Sequence, residues 1–286
     1  MWICLLCLVI AISYDISTSL GRNEYTEKYS YVTNHQDGIK TLIIGSSLAQ
    51  NGFNPFVLGD SVYNFAQARR TLFYDVELMR QLLPTMPSIQ TVIYSLHYNL
   101  HLVDTKACDT TNRLNQLVFP YYRYMNVDRT ETPSQKIFRS AIISGYFNIK
   151  SCINTEPSLE KGYYREDTSF KDNRDFFTKS NPPLQPDTAE CIRLLTELAR
   201  ICQQNKAKLI VYVPPFSDDY IAQMTDEGRA NLQKIINSVK TKYPIEYKDY
   251  SNDTAFRDLT LYYEWSHLNH RGATLLAQRM QEDFNL

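Results

Sequence analysis

The chain has 286 residues, 43% of them hydrophobic and 21% charged, with a formal net charge of −1. This is enough apolar material for one large α/β domain or two small ones, and it excludes an intrinsically disordered chain. The near-neutral balance gives no global attraction toward polyanions, so no nucleic-acid partner is expected.

Residues 1–12 are almost wholly apolar, from Trp2 to Ile12, and no Lys or Arg precedes them. A full membrane span needs roughly 20 such residues, so the run reads as a signal, a short anchor or a buried helix. With no amphipathic pattern to pack with, an anchor or signal is expected. That places the protein outside the cytoplasm, at the cell envelope. Residues 1–36 would be anchor and linker, and residues 37–286 the folded domain.

From there, apolar runs alternate with helical patterns, which predicts a parallel sheet covered by helices. Strands are expected at Thr41–Ile44, Ser61–Asn64, Thr91–Ser95, Leu209–Val213 and Ile245–Lys248. Helices are expected at Tyr74–Leu83, Thr188–Asn205, Ala222–Lys240 and Gly272–Phe284, the last capped by Asn269. Residues from about 100 to 186 break the alternation. They are polar and tyrosine-rich, with a helix expected at Ser134–Ser144, and an insertion of this length reads as a cap over a site.

Six cysteines give no framework. Cys191 and Cys202 fall in one expected helix, about 16 Å apart at 1.5 Å per residue, too far to bond each other. Cys108 and Cys152 could bridge in an exported protein. His97 and His101 bracket Asn99 without a carboxylate at ligand spacing, and no Cys-x-x-Cys pair occurs, so neither metal nor cofactor is expected.

Two short stretches carry chemistry. The first expected strand stops at Gly45-Ser46-Ser47, and near the other end of the chain stands Glu264-Trp265-Ser266-His267-Leu268-Asn269. A serine attacks an ester when a histidine takes its proton and a carboxylate holds the imidazole in the right tautomer. Glu264 and His267 are three apart, so on a turn or short helix both can face one side. Ser47 sits where a strand ends, the edge at which open α/β sheets keep their reactive groups.

Leu42-Ile43-Ile44-Gly45-Ser46-Ser47, then Gly52-Phe53-Asn54-Pro55, Tyr63-Asn64-Phe65-Ala66 and Glu264-Trp265-Ser266-His267-Leu268-Asn269 together resemble the SGNH (GDSL-type) hydrolase superfamily. They look closest to its bacterial cell-surface branch, which includes the teichoic-acid D-alanylation protein and the alginate O-acetyltransferases. The resemblance covers about Asp37 to Asn285, the middle insert excepted. It implies a three-layer α/β/α sandwich, a flavodoxin-like SGNH fold with about five parallel strands and an inserted cap. It implies Ser47 as nucleophile, His267 as general base and Glu264 as orienting acid, with Asp258 in reserve for that last role.

Ser46 and Glu264 stand where the family usually has Asp. No glycine occurs between Gly59 and Gly145, so the family's oxyanion glycine is replaced by the stretch Gln67-Ala68-Arg69-Arg70. The oxyanion candidates are therefore Ser47, Asn99 and Arg69, and the substrate-binding candidates are Arg69, Arg70 and Tyr98. The expected reaction is serine-dependent acyl transfer or ester hydrolysis on a cell-surface polysaccharide. A carbohydrate or cell-envelope polymer would be the substrate, and a membrane-bound acyltransferase a partner. The alternative is an SGNH-fold protein with impaired catalysis that binds a glycan or such a partner.

Overall fold

The structure, a computed structural model, describes residues 23–97, 125, 127, 159–172 and 188–286. The chain divides into two units, one of residues 1–31 and 108–158 and the other of residues 32–107 and 159–286. In the first, the described part is chiefly the start of helix α1 (Glu24–Asn34). Asn23 opens it: its Oδ1 accepts from the Thr26 amide at 3.0 Å while Thr26 Oγ1 accepts from the Asn23 amide at 3.0 Å. That reciprocal pair satisfies amides that a helix start leaves without partners. The expected linker is helical here. The expected helix at Ser134–Ser144, His101, Cys108 and Cys152 lie outside the described residues, as does nearly all of the expected cap.

The second unit carries a five-stranded parallel sheet in the order β2-β1-β3-β4-β5. Its strands are β1 (Thr41–Ile44), β2 (Val62–Asn64), β3 (Thr91–Ser95), β4 (Lys208–Val213) and β5 (Glu246–Asp249). This is the doubly wound, flavodoxin-like order, in which the chain reverses direction between β1 and β3 and leaves a crevice at their carboxyl ends. All five residues of β3 are buried. A central parallel strand is covered on both faces, which is why it reads as a continuous apolar run.

Helices α2 (Ser47–Gln50), α3 (Leu72–Leu82), α4 (Thr188–Gln204), α5 (Asp218–Ile221), α6 (Asp226–Lys240) and α7 (His270–Phe284) complete this unit. α3, α4 and α6 pack side by side. They are the crossovers between β2, β3, β4 and β5, and right-handed crossovers running one way across a sheet fall on one face. Ile43, Ile93 and Ile210 alternate to the other face and join Phe53, Leu276 and Met280 of the main apolar cluster. Cys191 and Cys202 are buried on the apolar stripe of α4 and form no disulfide with each other.

Among the described residues no helix is long and apolar enough to cross a membrane. The longest of them, α4, has 17 residues and is amphipathic, short of the roughly 20 apolar residues a span requires. The membrane-anchored placement expected from the sequence is corrected accordingly: no described helix serves as an anchor. The apolar run at residues 1–12 itself lies outside the described residues.

Candidate active site

β1 leads into Ser47, the expected nucleophile. At Gly45 the backbone turns with φ +126°, and a Cβ there would lie 2.4 Å from Ser95 Oγ on the neighbouring strand. Only glycine fits that close approach. Ser46 follows with extended backbone at the N-cap of α2 and makes no side-chain capping bond, so Ser47 opens a four-residue helix just beyond the sheet's edge. Its amide has no carbonyl four residues back within the helix.

Asn64, at the end of β2, fixes the other end of this helix. Its buried Nδ2 donates to the carbonyls of Ala49 at 2.8 Å and Phe53 at 3.1 Å, and its Oδ1 accepts from the Ala66 amide at 3.1 Å. It thereby clamps the Ser47 segment to the sheet.

The expected acid and base, Glu264 and His267, lie on an antiparallel ribbon of β6 (Tyr262–Glu264) and β7 (His267–Leu268), in which they pair across the turn Trp265-Ser266. A helix or simple turn was expected. The pairing of a tight ribbon brings the two side chains together instead. Ser217 Oγ donates to the Trp265 carbonyl at 2.8 Å, which ties the turn to the loop after β4. Asn269 Oδ1 accepts from the Arg271 and Gly272 amides, capping α7 directly after the ribbon.

The three expected catalytic side chains meet. Ser47 Oγ lies 2.8 Å from His267 Nε2. His267 Nδ1 is in short hydrogen-bond contact with Glu264 Oε1. An ionised carboxylate can only accept, so Nδ1 carries the proton and Nε2 presents its lone pair to the serine hydroxyl. Burial raises the Glu264 carboxyl, but the hydrogen bond and charge of His267 and the donors of Ser266 outweigh it and hold the group below its usual value. Asp258, the reserve acid, is spent capping a 3₁₀ turn: its Oδ1 accepts from the Thr260 amide at 2.8 Å.

The remaining candidates are placed differently. Arg70 was expected near substrate, yet its side chain is fully buried, 3.4 Å from Asp75 Oδ1 and stacked over the Phe65 ring at 4.5 Å. It braces the core and is withdrawn as a substrate contact. Arg69 is exposed and takes φ +63°. It is the third residue of a turn closed by the Arg70 amide on the Gln67 carbonyl, a position whose positive φ favours glycine. The Gln67 amide donates to the Gly45 carbonyl at 3.0 Å, so this turn adjoins the nucleophile's turn. Tyr98 and Asn99 lie outside the described residues. His97 Nε2 lies 3.0 Å from the Tyr220 hydroxyl. Among the described residues no group of three or more His, Cys, Asp or Glu side chains is placed to hold a metal.

Residues 159–172 form a strap beside the site. Gly162, at φ +72°, sits so close to Asn64 that a Cβ would lie 2.0 Å from its carbonyl oxygen. The Tyr164 amide donates to the Gln50 carbonyl at 3.3 Å, and the His270 amide donates to the Glu166 carbonyl at 2.7 Å. The Lys171 amide reaches the Tyr263 carbonyl at 2.8 Å, and Trp265 Nε1 donates to Asp172 Oδ1 at 3.2 Å. Tyr263 is half-buried with its ring tilted against the His267 imidazole, centroids 5.5 Å apart. The strap lies within the stretch of residues 100–186 expected to cap a site; Tyr263 and Ser266 were not singled out from the sequence. For Ser266 a signal was present, since it stands between the acid and the base.

No family model matches this chain, and a search of curated proteins finds no match. Among solved structures it is similar to a candidate acylhydrolase from Bacteroides fragilis, at 10% identity over 89% of this chain and 94% of that one, with a TM-score of 0.44. It is also similar to a candidate platelet activating factor from Streptococcus pneumoniae, at 8% identity over 98% of each chain, with a TM-score of 0.46.

Proposed function

We propose that this protein is a serine-dependent ester hydrolase or O-acyltransferase whose substrate is an acylated carbohydrate polymer. The observation that carries the reading is the unbroken hydrogen-bonded series from Ser47 through His267 to Glu264. As Ser47 Oγ bonds to the acyl carbon, its proton passes to His267 Nε2, and Glu264 stabilises the imidazolium that forms. The Ser47 amide, and the Arg69 amide in its glycine-like conformation, serve as donors to the tetrahedral oxyanion. The leaving alcohol then takes the proton from Nε2, and acyl-Ser47 remains. Water as the second acceptor regenerates the serine in an esterase. A sugar hydroxyl does so in a transferase, where a separate acyltransferase acts as the partner that supplies the acyl group.

The glycan class is supported by aromatic faces at the site. Tyr263 lies against the base, and half-buried Tyr164 is held on Gln50 at the end of the nucleophile's helix. Such rings offer an apolar face with a polar rim, which suits a sugar. The test is release of acetate from p-nitrophenyl acetate and from an acetylated glycan. Ser47→Ala and His267→Ala are expected to lose at least ~10³-fold in rate. Wild type no faster than both variants on both substrates would show the reading to be wrong. Transfer to a sugar without net hydrolysis identifies the transferase.

A further inference from the structure

We propose that Ser266 is a positioning residue that fixes the Glu264 carboxylate for His267, a proposal that rests on the serine-ester reading above. Glu264 Oε1 receives three donors. Ser266 Oγ lies 2.8 Å away, the Ser266 amide 3.2 Å away, and His267 Nδ1 makes the short contact. Ser266 Oγ is also 2.8 Å from His267 Nδ1. With the Nδ1 proton directed at the carboxylate, the serine hydroxyl proton has one acceptor to serve, Glu264 Oε1, and its own oxygen takes a share of the Nδ1–H.

Chemistry makes this device useful here. Glutamate has one more rotatable bond than aspartate, and an unrestrained carboxylate at its end samples several positions relative to the imidazole. Both donors of Ser266 converge on the oxygen that faces the base, so the useful rotamer is held before substrate arrives. The fold supplies the geometry. Trp265 and Ser266 form the ribbon's turn, Trp265 is anchored outward through Asp172 and Ser217, and Ser266 is buried. Glu264 is buried beside it, where a hydrogen bond to a charged group is worth more than at the surface. The other titratable groups around the ribbon are Tyr263 against the imidazole, Asp172 on Trp265, and Tyr164 and Glu166 of the strap; burial first, then Glu264, Glu166 and Tyr164, raise the Tyr263 hydroxyl.

The experiment compares wild type, Ser266→Ala, Ser266→Thr and Glu264→Gln/Ser266→Ala with Glu264→Gln, by ester hydrolysis across pH and by carbon NMR titration of the Glu264 carboxyl. Loss of the hydroxyl donor, with the Ser266 amide retained, leaves the carboxylate more basic, and the acid–base pair titrates as a unit. Ser266→Ala is therefore expected to lower kcat by about tenfold, with little change in KM, and to move the acidic limb of kcat/KM up by about one pH unit. Ser266→Thr, which keeps the hydroxyl, restores both. In the Glu264→Gln background the serine change has no further effect on kcat. An acidic limb and a Glu264 titration midpoint that stay at the wild-type pH in Ser266→Ala overturn the proposal. So does a Thr variant that behaves as Ala. The NMR midpoint does not depend on turnover. A wild type no faster than Ser47→Ala therefore defeats the esterase reading, while an upward shift in that midpoint still supports the role of Ser266.

Discussion

Asn64 holds the Ser47 segment in place by serving three carbonyls and one amide from a fully buried position. Replacement by leucine keeps much of its volume but leaves all four backbone groups buried without that partner. Asn64→Leu is expected to lower the free energy of unfolding by about 2–4 kcal/mol in a denaturant titration. A value within about 0.5 kcal/mol of wild type would mean that water or neighbouring groups satisfy the segment without it. At this scale the site was half legible in the sequence. Ser47, Glu264 and His267 could be read because nucleophile, base and acid are chemically distinctive types at characteristic places in the chain. Arg70 was misread because arginine is ordinarily exposed. Its partner Asp75 is five residues on, outside the three- or four-residue spacing that marks an ion pair along a helix.

The elements that position the site meet over a buried pair. Arg70 precedes α3 and Asp75 lies within its first turns, while the Gly45 backbone beside Ser47 helps to offset the burial of the Asp75 carboxyl. Breaking one member leaves an uncompensated buried charge. Asp75→Asn is expected to destabilise the fold by about 3–5 kcal/mol, whereas Arg70→Met with Asp75→Leu recovers most of that loss. Equal destabilisation by the single and double variants in thermal or chemical melts would show that the pair is not the source. Strands β1 and β3 were legible to their ends because buried apolar runs have sharp borders. Helix α1, Glu-Tyr-Thr-Glu-Lys-Tyr-Ser-Tyr-Val-Thr-Asn, shows no apolar stripe and was passed over. The β6–β7 ribbon is too short for a period-two pattern to register.

For the whole molecule, the buried carboxyls pull in opposite directions on stability. Burial raises Asp75 from 3.8 to about 6, against the opposing pull of Arg70 and the Gly45 amide. Between those values the folded state binds more protons than the unfolded chain, so this group's contribution is full below pH 3.8 and is lost as pH rises through about 6. Glu264 behaves in the reverse sense: its folded value is below 4.5, so its contribution is present above pH 4.5 and fades on acidification. Relative to wild type, Arg70→Met/Asp75→Leu is expected to gain roughly 1–3 kcal/mol between pH 4 and pH 7, followed by urea unfolding at each pH. A stability difference that is flat over this range would rule out the Asp75 linkage. The parallel architecture was readable from the alternation of runs, since each crossover needs a helix and each helix a stripe. The strap's attachments were not, because backbone hydrogen bonds leave no mark on side-chain pattern.

The nucleophile and its base stand 220 positions apart in the chain. Synthesis at about 5–20 residues per second therefore separates their appearance by roughly 10–40 s. During that interval Ser47 exists as an ordinary alcohol, because nothing near it in the chain can take its proton. The hydrogen-bonded series from Ser47 to Glu264 therefore forms only when the β6–β7 ribbon docks.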